Sequence, residues 1–450
     1  MMRTPVEERL GPRLWLRFWR DPLATLLDVV GEGELRCFRL GKGRVFLLND
    51  PEDVQHVLQH SHRSYRKSRN YDRLKLLLGQ GLVTSEGELW LRQRKRIQPA
   101  FSAESMKRYG AIMLREAQAL AVRWESASAV DLHQELLRVT LRIAATSFFG
   151  ADIERHAERF GRALTVALQD ADTRGGTQLR LPLWLPTLHN LRFKAARRVL
   201  DEVIGEILDA RMRGGADRDD FLQLLLSGLD SDPDQDDLRQ VRDEALTMLS
   251  AGHETTANAV TWTLALLARH PDVERRVFEE IRVTLGDAPP ALDLVPGLVY
   301  LEQVLLESMR LFPPVWALDR EAIASDRVRG AAIRAGDVVV VVPYLLHRSA
   351  REWPSPEVFD PDRFSPEASA GRHRYAHLPF GAGPRACIGR GFALVEAKIL
   401  IASVVQRVRL ELDPGASLVP EPQVTLRPRH TLRASIHGRH RPTGPRIRDV

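Results

Sequence analysis

A glycine-rich stretch with one cysteine is the part of the chain whose residues most clearly suggest chemistry. It spans Phe380–Gly389 (FGAGPRACIG) and runs into an apolar helical pattern over Phe392–Val408. Glycines let the backbone adopt conformations that side chains forbid and approach a bulky group closely. The start of a helix and the nearby Arg385 both favour the thiolate form of Cys387. A soft thiolate can bind a metal, form a disulfide or attack an electrophile. The alternative interpretation is that Cys387 is a buried structural cysteine in a turn and has no chemical role.

A second group of reactive side chains lies inside the long helical pattern Leu238–Arg269, where residues 251–256 read AGHETT. A glycine inside a helix costs roughly 1 kcal/mol relative to alanine. The Thr255 hydroxyl can also compete for the carbonyl of Ala251, so the two features together predict a local kink. Glu254 and Thr255 form an acid–alcohol pair that can relay protons. The alternative interpretation is that these residues belong to an ordinary polar face of the helix.

Two further pairs occur at helical spacing. Trp90 and Arg94 are four residues apart and Glu307 and Arg310 are three apart, so each pair shares one helix face. Read alone, the first pair indicates a basic surface helix with an anchoring tryptophan. The second, read alone, is one of the many ion pairs that decorate helices and identifies no function.

In order and separation, these four stretches resemble the motifs of the cytochrome P450 family. The pattern F-G-x-G-x-R-x-C-x-G resembles the family's haem-binding loop. It implies that Cys387 is the axial thiolate of a haem b iron, the ligation that favours O–O cleavage. The order [AG]-G-x-[DE]-T-T resembles the oxygen-activation motif and implies that Glu254 and Thr255 deliver protons to bound O2. His253 takes the variable position of that motif and is expected to point away from the site.

The resemblance also assigns haem contacts and a structural triad. Glu307 and Arg310, together with Arg363 from the sequence PDRF, would form a buried triad beneath the haem loop. Asp362 in that sequence stands where many relatives have glutamate. Arginines suit the two haem carboxylates because they bind them in a bidentate way. The implied haem contacts are Trp90, Arg94, Ala251, Arg320, Phe380, Arg385 and Gly389.

The implied reaction is the insertion of one oxygen atom from O2 into a lipophilic small molecule, by C–H hydroxylation or epoxidation. The apolar connection Thr173–Asn190 would cover the substrate entrance. A fatty acid, a terpene, a steroid or a macrolide would suit such a pocket equally. The implied substrate-pocket residues are Trp184, Val315, Trp316 and Leu318.

Electrons are expected from a separate ferredoxin or flavodoxin with its reductase, docked on basic side chains. The candidate docking residues are Arg92, Arg94, Lys95, Arg96, Arg372, Arg374 and Arg390. Three alternatives stay open. A non-catalytic haem-thiolate sensor would need Cys387 but not the acid–alcohol pair, and a peroxide-driven oxidase would not need that pair either. A thiolate hydrolase or transferase would need a base, for which His373 and His377 are the candidates.

Composition narrows the class of protein. The 450 residues are 44% hydrophobic, carry a net charge of +6 and have a pI of about 9.5, and no basic stripe with interleaved aromatics suggests nucleic acid. Only two cysteines, Cys37 and Cys387, argue against a disulfide framework and for a reducing cytoplasm. Arginines interrupt the apolar residues of Met1–Leu27, so we expect no transmembrane anchor. Because membrane-bound members of the family begin with such an anchor, the resemblance implies the soluble, bacterial type.

The pattern of elements predicts a mainly α fold with small β-sheets (α+β), in one domain over residues 1–450. The resemblance places the haem between the long helix at 238–269 and the helix after the cysteine loop. Helical periodicity dominates from Glu88 to Arg213, and the tail His437–Val450 is expected to be disordered. Further predicted helices are Pro51–Leu58, Tyr71–Leu78, Pro271–Leu285 and Val299–Leu311. Predicted strands are Leu35–Leu40 and Arg44–Leu48, paired around Gly41–Gly43, and Val338–Val342, while Trp353–Phe364 is predicted to be irregular.

Overall fold

The computed structural model describes residues 7–9, 11–30, 35–40, 43–150, 156–176, 182–213, 220–229, 234–286 and 288–439. These residues form a mainly helical protein with small β-sheets, which confirms the predicted fold class. The helices are α1 (Pro12–Arg20), α2 (Pro22–Val29), α3 (Pro51–Gln55), α4 (Asp72–Leu78), α5 (Gly87–Ile97), α6 (Ala103–Glu125), α7 (Leu132–Phe149), α8 (Ala157–Gly176), α9 (Leu188–Met212), α10 (Phe221–Leu226), α11 (Gln235–Arg269), α12 (Pro271–Leu285), α13 (Val299–Leu311), α14 (Pro343–Leu346), α15 (Pro366–Ser369) and α16 (Arg390–Arg407).

Short strands form small sheets beside the helices. The strands are β1 (Glu7–Arg9), β2 (Arg36–Leu40), β3 (Gly43–Leu48), β4 (Tyr65–Arg66), β5 (Ala129–Asp131), β6 (Leu318–Ala322), β7 (Asp326–Val328), β8 (Ala331–Ile333), β9 (Val338–Val341), β10 (Val408–Leu412), β11 (Pro420–Pro422), β12 (Leu426–Pro428) and β13 (Arg433–Gly438). The largest sheet has the order β1-β2-β3-β9-β6-β4, and a second has the order β10-β13-β5. β7 pairs with β8 and β11 with β12.

The predicted hairpin at the start of the chain is confirmed. β2 and β3 are antiparallel, with Arg36 opposite Leu47 and Leu40 opposite Gly43, although Gly41 and Lys42 lie outside the described residues. β3 then runs parallel to β9, with Val45 opposite Val338, so the valine-rich strand joins the same sheet. This sheet has its own buried cluster, which includes Cys37.

The long helix α11 is fixed at its start by an acidic cap. The Asp234 carboxylate accepts the backbone N–H groups of Asp236 and Asp237, each at 2.8 Å. Carboxylates are stabilised at this end because it carries the positive end of the helix dipole. The helix begins at Gln235, three residues before the predicted start, so two of the acidic residues lie in its first turn. From Ala257 to Leu267 every residue is buried, which places α11 in the centre of the fold.

Several boundaries differ from prediction. The helix after Pro51 changes after Gln55 into a π-helical turn, His56–His60. The apolar connection is shorter than predicted because α8 extends to Gly176 and α9 starts at Leu188, while residues 177–181 lie outside the described residues. The predicted disorder from His437 is wrong at its start, since His437 pairs with Arg409 and β13 reaches Gly438. Residues 440–450 lie outside the described part of the chain.

The two helices predicted to enclose the cofactor lie close together. α11 packs against both α7 and α16, and α16 also packs against α6. α16 begins at Arg390, directly after the cysteine loop, and its residues Ala397–Val405 are all buried. In the described part of the chain, no helix has both the length and the apolarity that a membrane crossing requires.

Candidate active site

A cavity of about 1420 Å³ separates the cysteine loop from the middle of α11. All but one of the residues predicted to contact haem, oxygen or substrate line it. Those residues are Trp90, Arg94, Ala251, Glu254, Thr255, Val315, Trp316, Leu318, Arg320, Phe380, Arg385, Cys387 and Gly389. Trp184 is the exception: it does not line this cavity and its side chain is 76% exposed, so its prediction as a pocket residue is not supported.

The backbone of the cysteine loop is held in place by its glycines and by local hydrogen bonds. Gly381 and Gly383 have φ values of +65° and +68°, in the left-handed region that favours glycine. A Cβ added at Gly383 would lie 1.9 Å from the backbone oxygen of Leu58, so the loop also needs a close approach there. The Cys387 N–H donates to the Phe380 carbonyl at 2.9 Å. The loop is therefore closed on itself, with the sulfur facing the cavity.

Cys387 is less acidic than its loop predicted. The Cys387 side chain is exposed to the open cavity, but the protein around it removes most of the surrounding water and so raises the pKa of the thiol above its ordinary value of 9.0, while a Gly389 backbone N–H, Arg94 and Arg390 oppose that rise. The predicted thiolate-stabilising groups are thus present, but the cost of burying the charge is larger. A bound metal would remove the proton, because a coordinating thiol is deprotonated outright.

The donor set around Cys387 restricts which metal it can hold. Within the described residues, no group of three or more His, Cys, Asp and Glu side chains could hold a metal ion. A lone thiolate suits a metal that brings its other donors with it, as a haem iron does. The predicted bases of a thiolate hydrolase do not reach the cavity. His377 instead packs against Phe364 at 4.8 Å and Trp353 at 5.8 Å between ring centroids.

Across the cavity, α11 presents the acid–alcohol pair. The Thr255 hydroxyl donates to the Ala251 carbonyl at 2.6 Å, as the sequence predicted. Burial raises the pKa of the Glu254 carboxyl, and a hydrogen bond from Thr425 and the charge of Arg427 oppose that rise. His253 is buried and does not line this cavity, as predicted. The pair therefore combines a carboxyl whose pKa is raised with a hydroxyl at the cavity surface.

One edge of the cavity collects cations. The Arg94 guanidinium donates to the Ala386 carbonyl at 2.8 Å, which ties α5 to the cysteine loop. Arg385 lies over the Trp90 ring at 3.8 Å and pairs with Glu86 at 2.6 Å. Arg320, from β6, also lines this edge. These contacts join Trp90 and Arg94 of α5 to the cysteine loop, to which Arg385 belongs.

Sequence reasoning missed Lys67 at this edge. Burial and the positive charge of Arg385 lower the pKa of Lys67 to about 7, although Glu86 acts in the opposite direction. Its ammonium also donates to the Leu82 carbonyl at 3.3 Å. Cations that repel one another in a buried place favour an anion between them. The edge therefore fits a group that brings carboxylates, which haem does with its two propionates.

The predicted triad is assembled and buried. Glu307 and Arg310 are fully buried, and two hydrogen bonds of 2.6 and 2.8 Å join them. Arg310 also donates to the carbonyls of His347, Pro356 and Val358 at 2.8, 2.7 and 3.1 Å. Arg363 lies 3.6 Å from Glu307. Asp362, by contrast, pairs outward with Arg276 at 2.8 Å.

The predicted docking cations divide into two groups. Arg94 faces the cavity, Arg96 donates to the Leu225 carbonyl, and Arg372 donates to the Arg363 carbonyl at 2.9 Å. These three are half-exposed and hydrogen-bonded within the protein, so they are less available to a partner, and their role in docking stays a prediction. The remaining side chains, all exposed, are Arg92, Lys95, Arg374 and Arg390.

The rest of the cavity wall is largely apolar. Val315, Trp316 and Leu318 come from the segment that enters β6, and the Trp316 indole N–H donates to the Gln423 carbonyl at 2.7 Å. Valines and leucines of the largest sheet add to this wall. The cavity also reaches α1, where Trp15 and Trp19 are 36% and 55% exposed. Such a lining suits a hydrocarbon skeleton better than a charged molecule.

Comparison with known proteins identifies the same family as the sequence motifs. The profile of the cytochrome P450 family matches residues 10–432. The chain is 34% identical to "Cyclooctatin synthase" of Streptomyces melanosporofaciens, over 90% of this chain and 89% of the relative. It is 34% identical to "Cyclooctat-9-en-7-ol 5-monooxygenase" of the same organism, over 90% and 88%, and 30% identical to "Pentalenene oxygenase" of Streptomyces avermitilis, over 93% and 94%. Its fold matches the crystal structure of the cytochrome P450DA heme domain with a TM-score of 0.86, at 28% identity, over 97% of this chain and 99% of the other.

Proposed function

Since the chain belongs to the cytochrome P450 family of haem-thiolate monooxygenases, we propose that it uses haem b and O2 to oxidise a cyclic terpene hydrocarbon or terpene alcohol. The observation that carries this proposal is one cavity with the Cys387 sulfur on one side, the Glu254–Thr255 pair on the other and buried cations at its edge. Two relatives are named as oxygenases of cyclooctat-9-en-7-ol and of pentalenene, which are a terpene alcohol and a terpene hydrocarbon. These names favour a terpene over a fatty acid, steroid or macrolide. The apolar wall around Trp316 fits such a skeleton.

When bound, the haem supplies the redox chemistry, activating O2 with electrons from a partner protein. The protein would hold it through the Cys387 thiolate and through Lys67, Arg94, Arg320 and Arg385, which would pair with its carboxylates. Charge-assisted hydrogen bonds to carboxylates are about twice as strong as neutral ones, so these cations fix the orientation of the group. Phe380 and Gly389 flank the sulfur on the loop.

The acid–alcohol pair would supply protons. Removal of Glu254 from solvent raises its pKa, so the carboxyl retains a proton more readily than an exposed one and can release it toward Thr255. Thr255 would present its hydroxyl oxygen to the cavity while its hydrogen bond to Ala251 sets its rotamer. The apolar residues Val315 and Leu318 would hold the substrate and exclude water. We assign no catalytic role to the Glu307 triad, which would maintain the shape of the fold beneath the loop.

Electrons would come from an acidic ferredoxin or flavodoxin at the exposed cations of α5 and of the region around the cysteine loop. Arg92 and Lys95 on α5, with Arg374 and Arg390, give that surface its positive charge. A charge reversal, Arg92→Glu, should slow the first electron transfer and weaken its dependence on salt. The matched control is Arg409→Glu on the exposed side of β10, which should leave the rate unchanged. Equal effects of both changes would place the docking surface elsewhere.

The test of the proposed function has two stages. A reduced-plus-CO difference spectrum should show the red-shifted Soret band of a thiolate-ligated haem. A panel of cyclic terpene hydrocarbons and alcohols, fatty acids, steroids and macrolides is then scored for low-to-high spin conversion, and the best ligand is turned over with a surrogate ferredoxin system. We expect terpenes to give the largest conversion and a product one oxygen heavier. A missing Soret band would refute the haem assignment, and conversion by another ligand class alone would refute the terpene assignment.

A further inference from the structure

The connection between α4 and α5, residues 79–85, lies directly against the long helix α11, and we call it the wall segment. Two of its side chains, Leu82 and Val83, line the main cavity, as does Leu78 just before it. The segment consists of turns and bends rather than a helix or a strand, so no regular ladder of hydrogen bonds fixes its position. Whatever holds this segment therefore sets part of the wall that a substrate would meet.

Two adjacent carboxylates of α11 hold the backbone of the wall segment. Asp243 Oδ2 accepts the Gln80 N–H at 2.7 Å, and Glu244 Oε2 accepts the Leu82 N–H at 3.0 Å. Both acidic side chains are buried, with exposures of 4% and 2%. A buried N–H group that loses its acceptor pays the full cost of its desolvation. These two bonds therefore fix the segment to the central helix.

Glycines make this close approach possible. A Cβ added at Gly79 would lie 1.9 Å from Asp243 Oδ2, and one added at Gly81 would lie 2.0 Å from the Thr247 hydroxyl oxygen and 2.6 Å from the Asp243 carbonyl oxygen. Thr247 itself lines the main cavity. A side chain at position 81 would thus push the segment away from α11 at the surface of the cavity.

Lys67 holds the wall segment from its other side. The Lys67 ammonium donates to the Leu82 carbonyl at 3.3 Å and also to the Val83 carbonyl. The same ammonium belongs to the cationic edge that fits the haem carboxylates. Leu82 is therefore fixed at both of its backbone polar groups, with its N–H on α11 and its carbonyl on the cationic edge.

Glu244 can accept the Leu82 N–H in either protonation state. Burial and the charge of Asp243 raise the pKa of Glu244 to about 7, while the Leu82 N–H, Gln240 and Arg96 oppose that rise. A carboxyl oxygen accepts an N–H whether the group is ionised or neutral, and a glutamine amide oxygen accepts in the same way. Glu244 does not line the main cavity and takes no part in the proposed proton transfer, so any effect on the reaction acts through the wall segment.

We propose that Glu244 and Asp243 are positioning residues that hold the wall segment against α11, so that Leu82 and Val83 restrict which carbon of the substrate faces the cysteine loop. The inference rests on the proposed function, because it takes the main cavity as the substrate chamber. An apolar substrate offers few polar groups for recognition, so the fixed shape of the wall has to orient it. A wall segment that moves would let the same molecule bind in several orientations.

The role of Glu244 is tested on the haem-loaded protein with Glu244→Met, which has a similar length and no acceptor, and Glu244→Gln, which keeps an oxygen for the Leu82 N–H. Without substrate, hydrogen exchange in residues 79–85 should become faster on the order of tenfold in Glu244→Met, because one hydrogen bond is lost from the closed state. The best terpene of the panel should then bind more weakly and give a broader mixture of oxidised isomers. Glu244→Gln should resemble the wild type in both measurements, and the ferrous-CO band should be unchanged in both variants.

Two companion variants make the result specific. Gly81→Ala disturbs the same contact from the side of the segment, so it should also speed exchange in residues 79–85 and broaden the mixture of isomers. Leu264→Ala removes a buried side chain of α11 that lies twenty residues after Glu244, about 30 Å along the helix. It should lower stability toward urea but change neither the exchange of the segment nor the ratio of isomers.

Each outcome decides part of the proposal. Unchanged exchange of the segment in both Glu244→Met and Gly81→Ala overturns the positioning role. Faster exchange with an unchanged ratio of isomers overturns the assignment of specificity. The same broad mixture from Leu264→Ala would assign the effect to lost stability and overturn both. If the wild type oxidises no terpene, the proposed substrate is wrong, whereas the exchange data and the affinity for the best ligand of any class still decide the role of Glu244.

Discussion

The buried ion pair of α13 gives the sharpest test of the fold beneath the loop. Glu307→Ala removes the carboxylate that accepts two hydrogen bonds from Arg310 and leaves a guanidinium at 0% exposure with only carbonyl partners. Breaking a buried pair by removing one partner costs about 3–5 kcal/mol. That is a large share of the roughly 5–15 kcal/mol by which a domain is stable. We expect protein that retains little haem and unfolds at markedly lower denaturant concentration.

The surroundings of Arg310 set the limits of this estimate. Three backbone carbonyls, those of His347, Pro356 and Val358, also accept from the guanidinium. Arg310→Ala would leave these carbonyls without their donor and the Glu307 carboxylate with the Asp360 N–H at 2.9 Å and the more distant Arg363, so it should cost at least as much as Glu307→Ala. Replacing both residues removes both charges but still leaves the carbonyls, so the double variant should recover only part of the loss.

The assay is urea unfolding followed by circular dichroism, together with the ferrous-CO absorbance per mole of protein. The matched control is Arg239→Ala, which breaks an exposed Asp236–Arg239 pair of the same i,i+3 spacing and should change stability by less than about 0.5 kcal/mol. If Glu307→Ala is as stable and as fully loaded with haem as this control, the burial of the pair has no energetic consequence and the reasoning fails.

Four further predictions follow from single side chains. Cys387→Ala should abolish the red-shifted ferrous-CO Soret band; a retained band would make Cys37 the ligand. Thr255→Ala should keep that band but release hydrogen peroxide in place of product, so unchanged product per electron would contradict the assigned proton transfer. Gly383→Ala should cost about 1–3 kcal/mol or more from strain and the clash with Leu58, measured by urea unfolding. Burial lowers the pKa of His377 from 6.5 to about 3, so between these values the unfolded state binds a proton that the folded state does not. Acidification below pH 6.5 therefore removes about 1.4 kcal/mol of folding stability per pH unit through this residue. In His377→Phe this contribution should be absent when urea unfolding at pH 5 is compared with that at pH 7.

Contacts between neighbours in sequence were the most predictable part of the site. The Thr255–Ala251 hydrogen bond follows from a hydroxyl four residues after a carbonyl on one helix, and the left-handed Gly381 and Gly383 follow from the glycine spacing. The Glu307–Arg310 spacing permitted a pair, but only the resemblance indicated that it was buried. Local rules state which residues can meet, while burial depends on what the rest of the chain packs around them.

Lys67 and Thr425 could not be found in this way, because each acts through residues distant in the chain. Lys67 follows a two-residue strand and meets Arg385 only because the loop and the sheet edge converge. Thr425 lies between β11 and β12 and reaches Asn258, 167 residues earlier, across the fold. Neither position has a local pattern that separates it from an ordinary surface lysine or loop threonine.

The electrostatics of the cavity connect the stability of the fold to its cofactor. Burial raises the pKa of Cys387, and burial with cationic neighbours lowers that of Lys67, so each charged form is costly where it stands. A metal cation stabilises the thiolate, and carboxylates stabilise the lysine and arginine cations. Haem carries both an iron ion and two carboxylates, so its binding would lower the free energy of the Cys387 thiolate and of the cations at the cavity edge. Anything that binds the folded state alone stabilises it. Lys67→Met should therefore raise the stability of the haem-free protein relative to wild type while weakening haem retention, a pair of opposite effects that loss of packing alone would not produce.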